Sequence, residues 1–176
     1  GAASGGSTMF AELNSMISVE NLIRSVIIQS GNDAAIVLAE GIAGSEFSFA
    51  AMMNELARDL GLEGSHFTNS TGLPDPDMYV TARDLAELAR YLIREFPQYY
   101  HYFSEPEMEW NKIKQSNRNS LVELGIGVDG LKTGHTESAG YGSVISTAEG
   151  GRRLIGVVHG LTSMAQRTEE GRKLIT

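Results

Sequence analysis

From Ser18 onward, the apolar residues of the chain follow two regimes, helical spacing first and strand-like alternation later. Val19, Leu22, Ile23, Val26 and Ile27 recur at three- and four-residue intervals, which predicts a helix with Ser18 as N-cap and one buried face. Ser30-Gly31-Asn32 ends it, with the glycine as expected breaker, and Asn32 or Asp33 caps a second helix reaching about residue 43. Residues 34–39 carry no polar side chain, so this second helix is expected to be buried in the middle of a domain. A third helix is predicted over 46–60, with Phe49, Met53, Leu56 and Leu60 on one stripe and Gly61 as its stop. A long loop, 64–80, precedes a fourth helix that opens at Thr81-Ala82-Arg83-Asp84, a capping box with Asp in the usual Glu position. Leu85, Leu88, Leu92 and Phe96 form its expected inner stripe.

After Glu105 the period drops toward two, and Met108, Trp110 and Ile113 are expected on one face of a strand. Further strands are predicted at 128–133, 141–148 and 153–159, the last two joined by a Glu149-Gly150-Gly151 hairpin and therefore antiparallel neighbours. A last helix is predicted over 163–174. Residues 1–8 are only Gly, Ala, Ser and Thr and read as a flexible lead-in, and 9–16 read as a short extended stretch. With no internal repeat, residues 9–176 form one α/β domain with helices packed on an antiparallel sheet.

Composition narrows the chemistry. The chain has 176 residues, enough to bury about 70% of the surface its unfolded form exposes. Its 22 acidic and 14 basic side chains give a net charge of −8, which argues against nucleic acid as a partner. The absence of cysteine excludes disulfides, thiolate metal sites and a cysteine nucleophile. The longest strictly apolar run, 34–39, is far short of a membrane span. His66, His101 and His159 show no H-x-x-x-H or H-E-x-x-H spacing, so no metal is expected and these histidines read as structural. The glycines at 125, 127 and 130 do not follow a strand and open a helix, so no dinucleotide cofactor is implied.

Two short motifs remain: Ser30-Gly31-Asn32 between two helices and Lys132-Thr133-Gly134 on a strand. Alone, the first reads as a helix-terminating turn and the second as a solvated strand lysine; an S-x-N triplet is common by chance, a K-T-G triplet arises in only a few per cent of chains this long. Together they place polar side chains beside an apolar helix and a lysine on a strand whose edge could pair with an extended peptide.

The runs Gln29-Ser30-Gly31-Asn32-Asp33-Ala34, Asn117-Arg118-Asn119 and Val128-Asp129-Gly130-Leu131-Lys132-Thr133-Gly134-His135-Thr136, in this order, resemble the serine D-alanyl-D-alanine carboxypeptidases. These are low-molecular-mass penicillin-binding proteins, relatives of the serine β-lactamases. The resemblance implies an α+β fold, an antiparallel sheet flanked by helices with a helical subdomain, incomplete at its N-terminus. It implies acyl transfer on peptidoglycan pentapeptides, inhibition by β-lactams, no cofactor, and a periplasmic or otherwise extracytoplasmic location. Ser30 would serve the proton relay, and Asn32 would hold a lysine of the nucleophile motif and the substrate amide. Lys132 would supply positive field, while Arg118, Thr133 and Gly134 would meet the substrate carboxylate and His135 would sit at the rim. The family's third motif, S-x-x-K, supplies the nucleophile. Residues 109, 111, 129 and 170, three before each lysine, are Glu, Asn, Asp and Glu, so that motif is absent and the chain alone is expected to be inactive. No E-x-x-L-N pentapeptide is present, which favours a carboxypeptidase over a class A β-lactamase. The alternative is a non-catalytic module binding peptidoglycan peptides or a protein partner. An open sheet edge and an unfilled space beside helix 34–39 are further expectations, with either self-association through that edge or upstream residues outside the given sequence.

Overall fold

The computed structural model describes residues 6–176. Four helices come first: α1 (Val19–Gln29), α2 (Asn32–Ala43), α3 (Glu46–Asp59) and α4 (Ala82–Glu95). A 3-10 segment, Pro97–Ser104, leads to a hairpin of β1 (Glu107–Trp110) and β2 (Ile113–Ser116). A second, Ser120–Leu124, leads to β3 (Val128–Thr136), β4 (Gly140–Glu149), β5 (Arg152–Leu161) and α5 (Met164–Ile175). The main sheet has order β3-β4-β5, antiparallel throughout. β3 and β5 are therefore its edges among the described residues.

The helix starts are set by local chemistry. The hydroxyls of Ser18, Thr81 and Ser163 accept from the backbone N–H groups of Asn21, Asp84 and Gln166, each satisfying a donor the first turn leaves free. Gly150 and Gly151, both at positive φ, close the β4–β5 hairpin with Glu149 opposite Arg152. Two hydrophobic clusters hold the sheet between layers. Ala89, Tyr100 and Leu131, with Leu92, Ile93, Val144 and Ile155, lie on the α4 side. Leu121, Val128 and Ile145, with Val122 and Ile175, lie on the α5 side. The helical part has a separate cluster of Met9, Leu22 and Ala34.

Several details depart from the sequence-based expectations. The helix α1 is broken by Ser30, which takes the left-handed conformation (φ 58°, ψ 42°), while Gly31 has an ordinary φ of −63°. Gly31 is needed for space: a Cβ there would lie 2.1 Å from the Oγ of buried Ser25. The buried face of α1 is Leu22, Ser25, Ile28 and Gln29, and Val19 is exposed. Helix α2 is flanked by α1 and α3, with Met9 and Ala11 against Ala34, and it is not enclosed: Val37 is 40% and Ile42 60% exposed. α3 buries Ala50 and Ala57, leaving Leu56 exposed, and Phe96 at the end of α4 is exposed too. The strand expected after Glu105 is a hairpin, because Asn111 and Lys112 both adopt positive φ and turn the chain, which exposes Ile113.

Residues 9–16 form no strand. Of the lead-in, 1–5 lie outside the described residues, and the carbonyl of Ser7 accepts from the N–H of Asn32 (2.9 Å). The segment that follows is anchored by Asp33, whose carboxylate accepts from the N–H groups of Met9, Ala11 and Ala34, each at 2.9 Å. Burial raises the Asp33 pKa, but these donors and the Thr8 hydroxyl outweigh it and hold the carboxyl below its ordinary value. This contribution is complete above the unfolded carboxyl pKa of about 3.9 and is lost as the pH falls through the lower folded value. Asp33→Ala is expected to cost about 2–3 kcal/mol at pH 7, measured by urea unfolding, with the difference from wild type shrinking as the pH falls below about 4.

Candidate active site

The site forms where the helical part meets the exposed edge of the sheet. Ser30 lies at the C-cap of α1, and Asn32 opens α2, so a single turn presents both. The left-handed backbone at Ser30 is unusual for a residue with a Cβ and costs on the order of 1–2 kcal/mol. Its effect is to turn the serine out of the helix toward β3. There the Nζ of Lys132 donates to the Oγ of Ser30 and to the carbonyl of Thr133 (2.7 Å).

Lys132 is mid-strand in β3 and largely withdrawn from water. Burial, then the charges of Arg167 and Arg118, lower its pKa from 10.5 to about 8. Asn32 is half-buried, and the Cβ of any other residue at position 6 would come within 2.6 Å of its Nδ2. Thr133 is buried and Gly134 exposed on the same edge strand. His135 stacks on Tyr141 with ring centroids 3.9 Å apart, at the outer end of the β3–β4 ladder. Arg118 sits in the connection between β2 and β3, its guanidinium 3.5 Å from the Ser7 Oγ.

The structure adds a residue that sequence reasoning missed. Arg167 lies near the start of α5, is only 9% exposed, donates to the carbonyl of Gly134 (3.2 Å) and covers the Tyr141 ring at 5.5 Å. Burial lowers its pKa from the ordinary arginine value. With Arg118, Thr133 and Ser143 it lines a shallow cleft beside β3. No ion pair among the described residues includes Lys132, Arg118 or Arg167. Arg167 is 35 residues from Lys132 and belongs to no motif, so nothing local marks it.

Three cations, two hydroxyls and an exposed strand edge thus converge without a carboxylate among their ion pairs. Such an arrangement suits an anionic, extended ligand and proton transfer between Ser30 and Lys132. Among the described residues no cluster of His, Asp or Glu could hold a metal.

The fold is that of the penicillin-binding proteins. Residues 1–163 match the family Peptidase S11, D-alanyl-D-alanine carboxypeptidase, and the chain belongs to it. It is 45% identical over 172 residues to the D-alanyl-D-alanine carboxypeptidase DacD of Escherichia coli (strain K12), covering 97% of this chain and 44% of that protein. Penicillin binding protein 5 from Haemophilus influenzae superposes with a TM-score of 0.94 at 44% identity, over 98% of this chain and 51% of that one. The ampicillin-bound penicillin-binding protein D2 from Listeria monocytogenes superposes with a TM-score of 0.85 at 30% identity, over 96% and 70% of the two chains. The chain thus spans somewhat under half the length of the curated relatives it matches.

The lowered Lys132 pKa has a measurable consequence. Between about 8 and 10.5 the unfolded chain binds more protons at this residue than the folded one, so stability rises with pH across that window. Urea unfolding of wild type should show the rise, and Lys132→Met should flatten it while stabilising the chain at pH 7 by about 1–2 kcal/mol.

Proposed function

We propose that this chain is the substrate-cradling portion of a serine D,D-carboxypeptidase that removes the terminal D-alanine from peptidoglycan stem peptides. The reaction proceeds through an acyl-enzyme, β-lactams acylate the same site, and the protein acts outside the cytoplasm. Residues 9–176 are part of the catalytic domain. The observation that carries this reading is the contact between Lys132 and Ser30 beside two arginines that no ion pair engages.

In this reading the ammonium of Lys132 holds the Ser30 hydroxyl in position to pass a proton toward the leaving nitrogen. The side-chain amide of Asn32 offers an acceptor to a lysine of the nucleophile motif and a donor to the substrate carbonyl. The terminal carboxylate of the peptide or β-lactam lies among Thr133, Arg118 and Arg167, where a planar guanidinium can engage both oxygens. Gly134 leaves the outer edge of β3 clear for an extended ligand, and the stacked His135–Tyr141 pair closes its far end. The nucleophile comes from an S-x-x-K motif, which this chain does not contain.

A chimera supplies the test. Residues 6–176 are joined to the part of the Escherichia coli DacD protein that precedes the matched region and are exposed to a fluorescent penicillin. Covalent labelling is expected, reduced by about 100-fold or more in Lys132→Ala, the scale for losing a positioned electrostatic group. A folded chimera that is never labelled overturns the proposal, as does a stable acyl adduct on the 176-residue chain alone. Self-association of the isolated chain through the outer edge of β5 is also expected, because an unpaired edge strand is a template for another. Light scattering that finds only a cooperatively unfolding 19.0 kDa monomer refutes it.

A further inference from the structure

The segment Asn117-Arg118-Asn119 links the three pieces of chain from which the site is assembled. Asn117 and Asn119 are both buried, at 7% and 3% exposure. The side-chain amide of Asn117 donates to the carbonyls of Glu105 (2.9 Å) and Phe103 (3.3 Å), and its backbone N–H donates to the carbonyl of Pro106 (2.7 Å). The backbone N–H of Arg118 donates to the carbonyl of Ile28 (2.9 Å), two residues before Ser30. The amide of Asn119 donates to the carbonyl of Gly130 (3.1 Å), two residues before Lys132. The two asparagines are coupled directly, since the N–H of Asn119 donates to the Oδ1 of Asn117 (2.9 Å).

These bonds follow the shortest route between the two halves of the site. Ser30 belongs to the helical part and Lys132 to the sheet, so their separation depends on how firmly the end of α1 is tied to β3. Helix α1 ends with carbonyls that lack partners within the helix, and the tie uses one of them. Strand β3 is an edge strand, and β4 does not anchor its outer side. The carbonyl of Gly130 is bonded there instead by Asn119. The tie to Gly130 is buried, so water cannot replace a lost partner there without opening the join.

We infer that Asn117 and Asn119 are positioning residues: the Asn119 amide holds the edge strand β3, the Asn117 amide holds the 103–106 segment, and between them they fix the Arg118 N–H on the end of α1, which together set the distance between the Ser30 hydroxyl and the Lys132 ammonium. The inference rests on the reading of Ser30 and Lys132 as the working pair. It adds that this pair is held by a segment that also contributes Arg118 and Asn119 to the lining of the cleft.

The experiment reads the position of Lys132 without any substrate, so its failure is distinct from a failure of the penicillin test. The 176-residue chain is labelled with carbon-13 at the lysine Cε, and its four lysines are titrated by NMR. Asn119→Ser is the informative variant. Serine keeps an N-cap acceptor for the N–H of Leu121, which Asn119 now serves at 3.3 Å, but it is too short to reach the carbonyl of Gly130. Ala57→Gly, in α3 and remote from the join, is a destabilised control.

The groups that bear on Lys132 are Ser30, Arg118 and Arg167, and loosening the clasp admits water to all of them. In Asn119→Ser the Lys132 midpoint is expected to rise from near 8 toward 10.5 by about half a pH unit or more, with Ala57→Gly unchanged. A midpoint in Asn119→Ser equal to wild type overturns the inference, as does an equal rise in Ala57→Gly. If Asn119→Ser does not fold, Asn117→Ser, which cuts the tie to Glu105 and leaves Gly130 bonded, is judged by the same criterion.

Discussion

The contact between the Lys132 ammonium and the Ser30 hydroxyl is the constraint around which the structure is arranged, because it spans the join between helices and sheet. A lysine largely withdrawn from water beside two arginines is unfavourable in isolation, and its pKa falls accordingly. The surroundings hold it there. Ser30 takes a left-handed backbone to face the strand, Gly31 makes room beside Ser25, and the Asn32 N–H is fixed by the carbonyl of Ser7. Stability is given up locally where the chemistry requires it and recovered in the clusters on either side of the sheet.

Four arginines near the join differ by their partners. Arg24 is paired with Glu20 and Glu105, and Arg153 with Asp129, each also lying over a tyrosine ring. Those side chains join elements of the fold. Arg118 and Arg167 enter no ion pair among the described residues, although the chain as a whole carries a net charge of −8. An acidic protein that keeps three cations together and away from its own carboxylates maintains a local field of opposite sign to its mean. After burial, that field is the second cause that lowers the pKa of the lysine among them.

Much of the fold was legible because its causes are local. The serine and threonine caps, the diglycine hairpin and the alternation in β4 and β5 depend on neighbours a few residues apart, and each element lies near its expected position. The stripes were less legible. The apolar pattern of α1 pointed to Val19, yet the buried face includes Ser25 and Gln29, whose side chains bond to each other and so can be enclosed. Likewise the apolar run in α2 described composition and not enclosure, since which faces are covered depends on what packs there.

Of the candidate site, the sequence alone pointed to the residues tied to a motif, Ser30, Asn32, Lys132, Thr133 and Gly134, and the family resemblance pointed to Arg118 and His135. It also determined that the nucleophile motif is absent. Only the tertiary structure decided that Ser30 meets Lys132 across 102 residues, that Arg167 lies beside β3 from α5, and that the 117–119 segment bonds both the end of α1 and β3. The physical reason is range. Caps and turns act within a few bonds of the backbone, whereas a buried cation and its neighbours are set by the packing of distant segments, which local spacing does not encode.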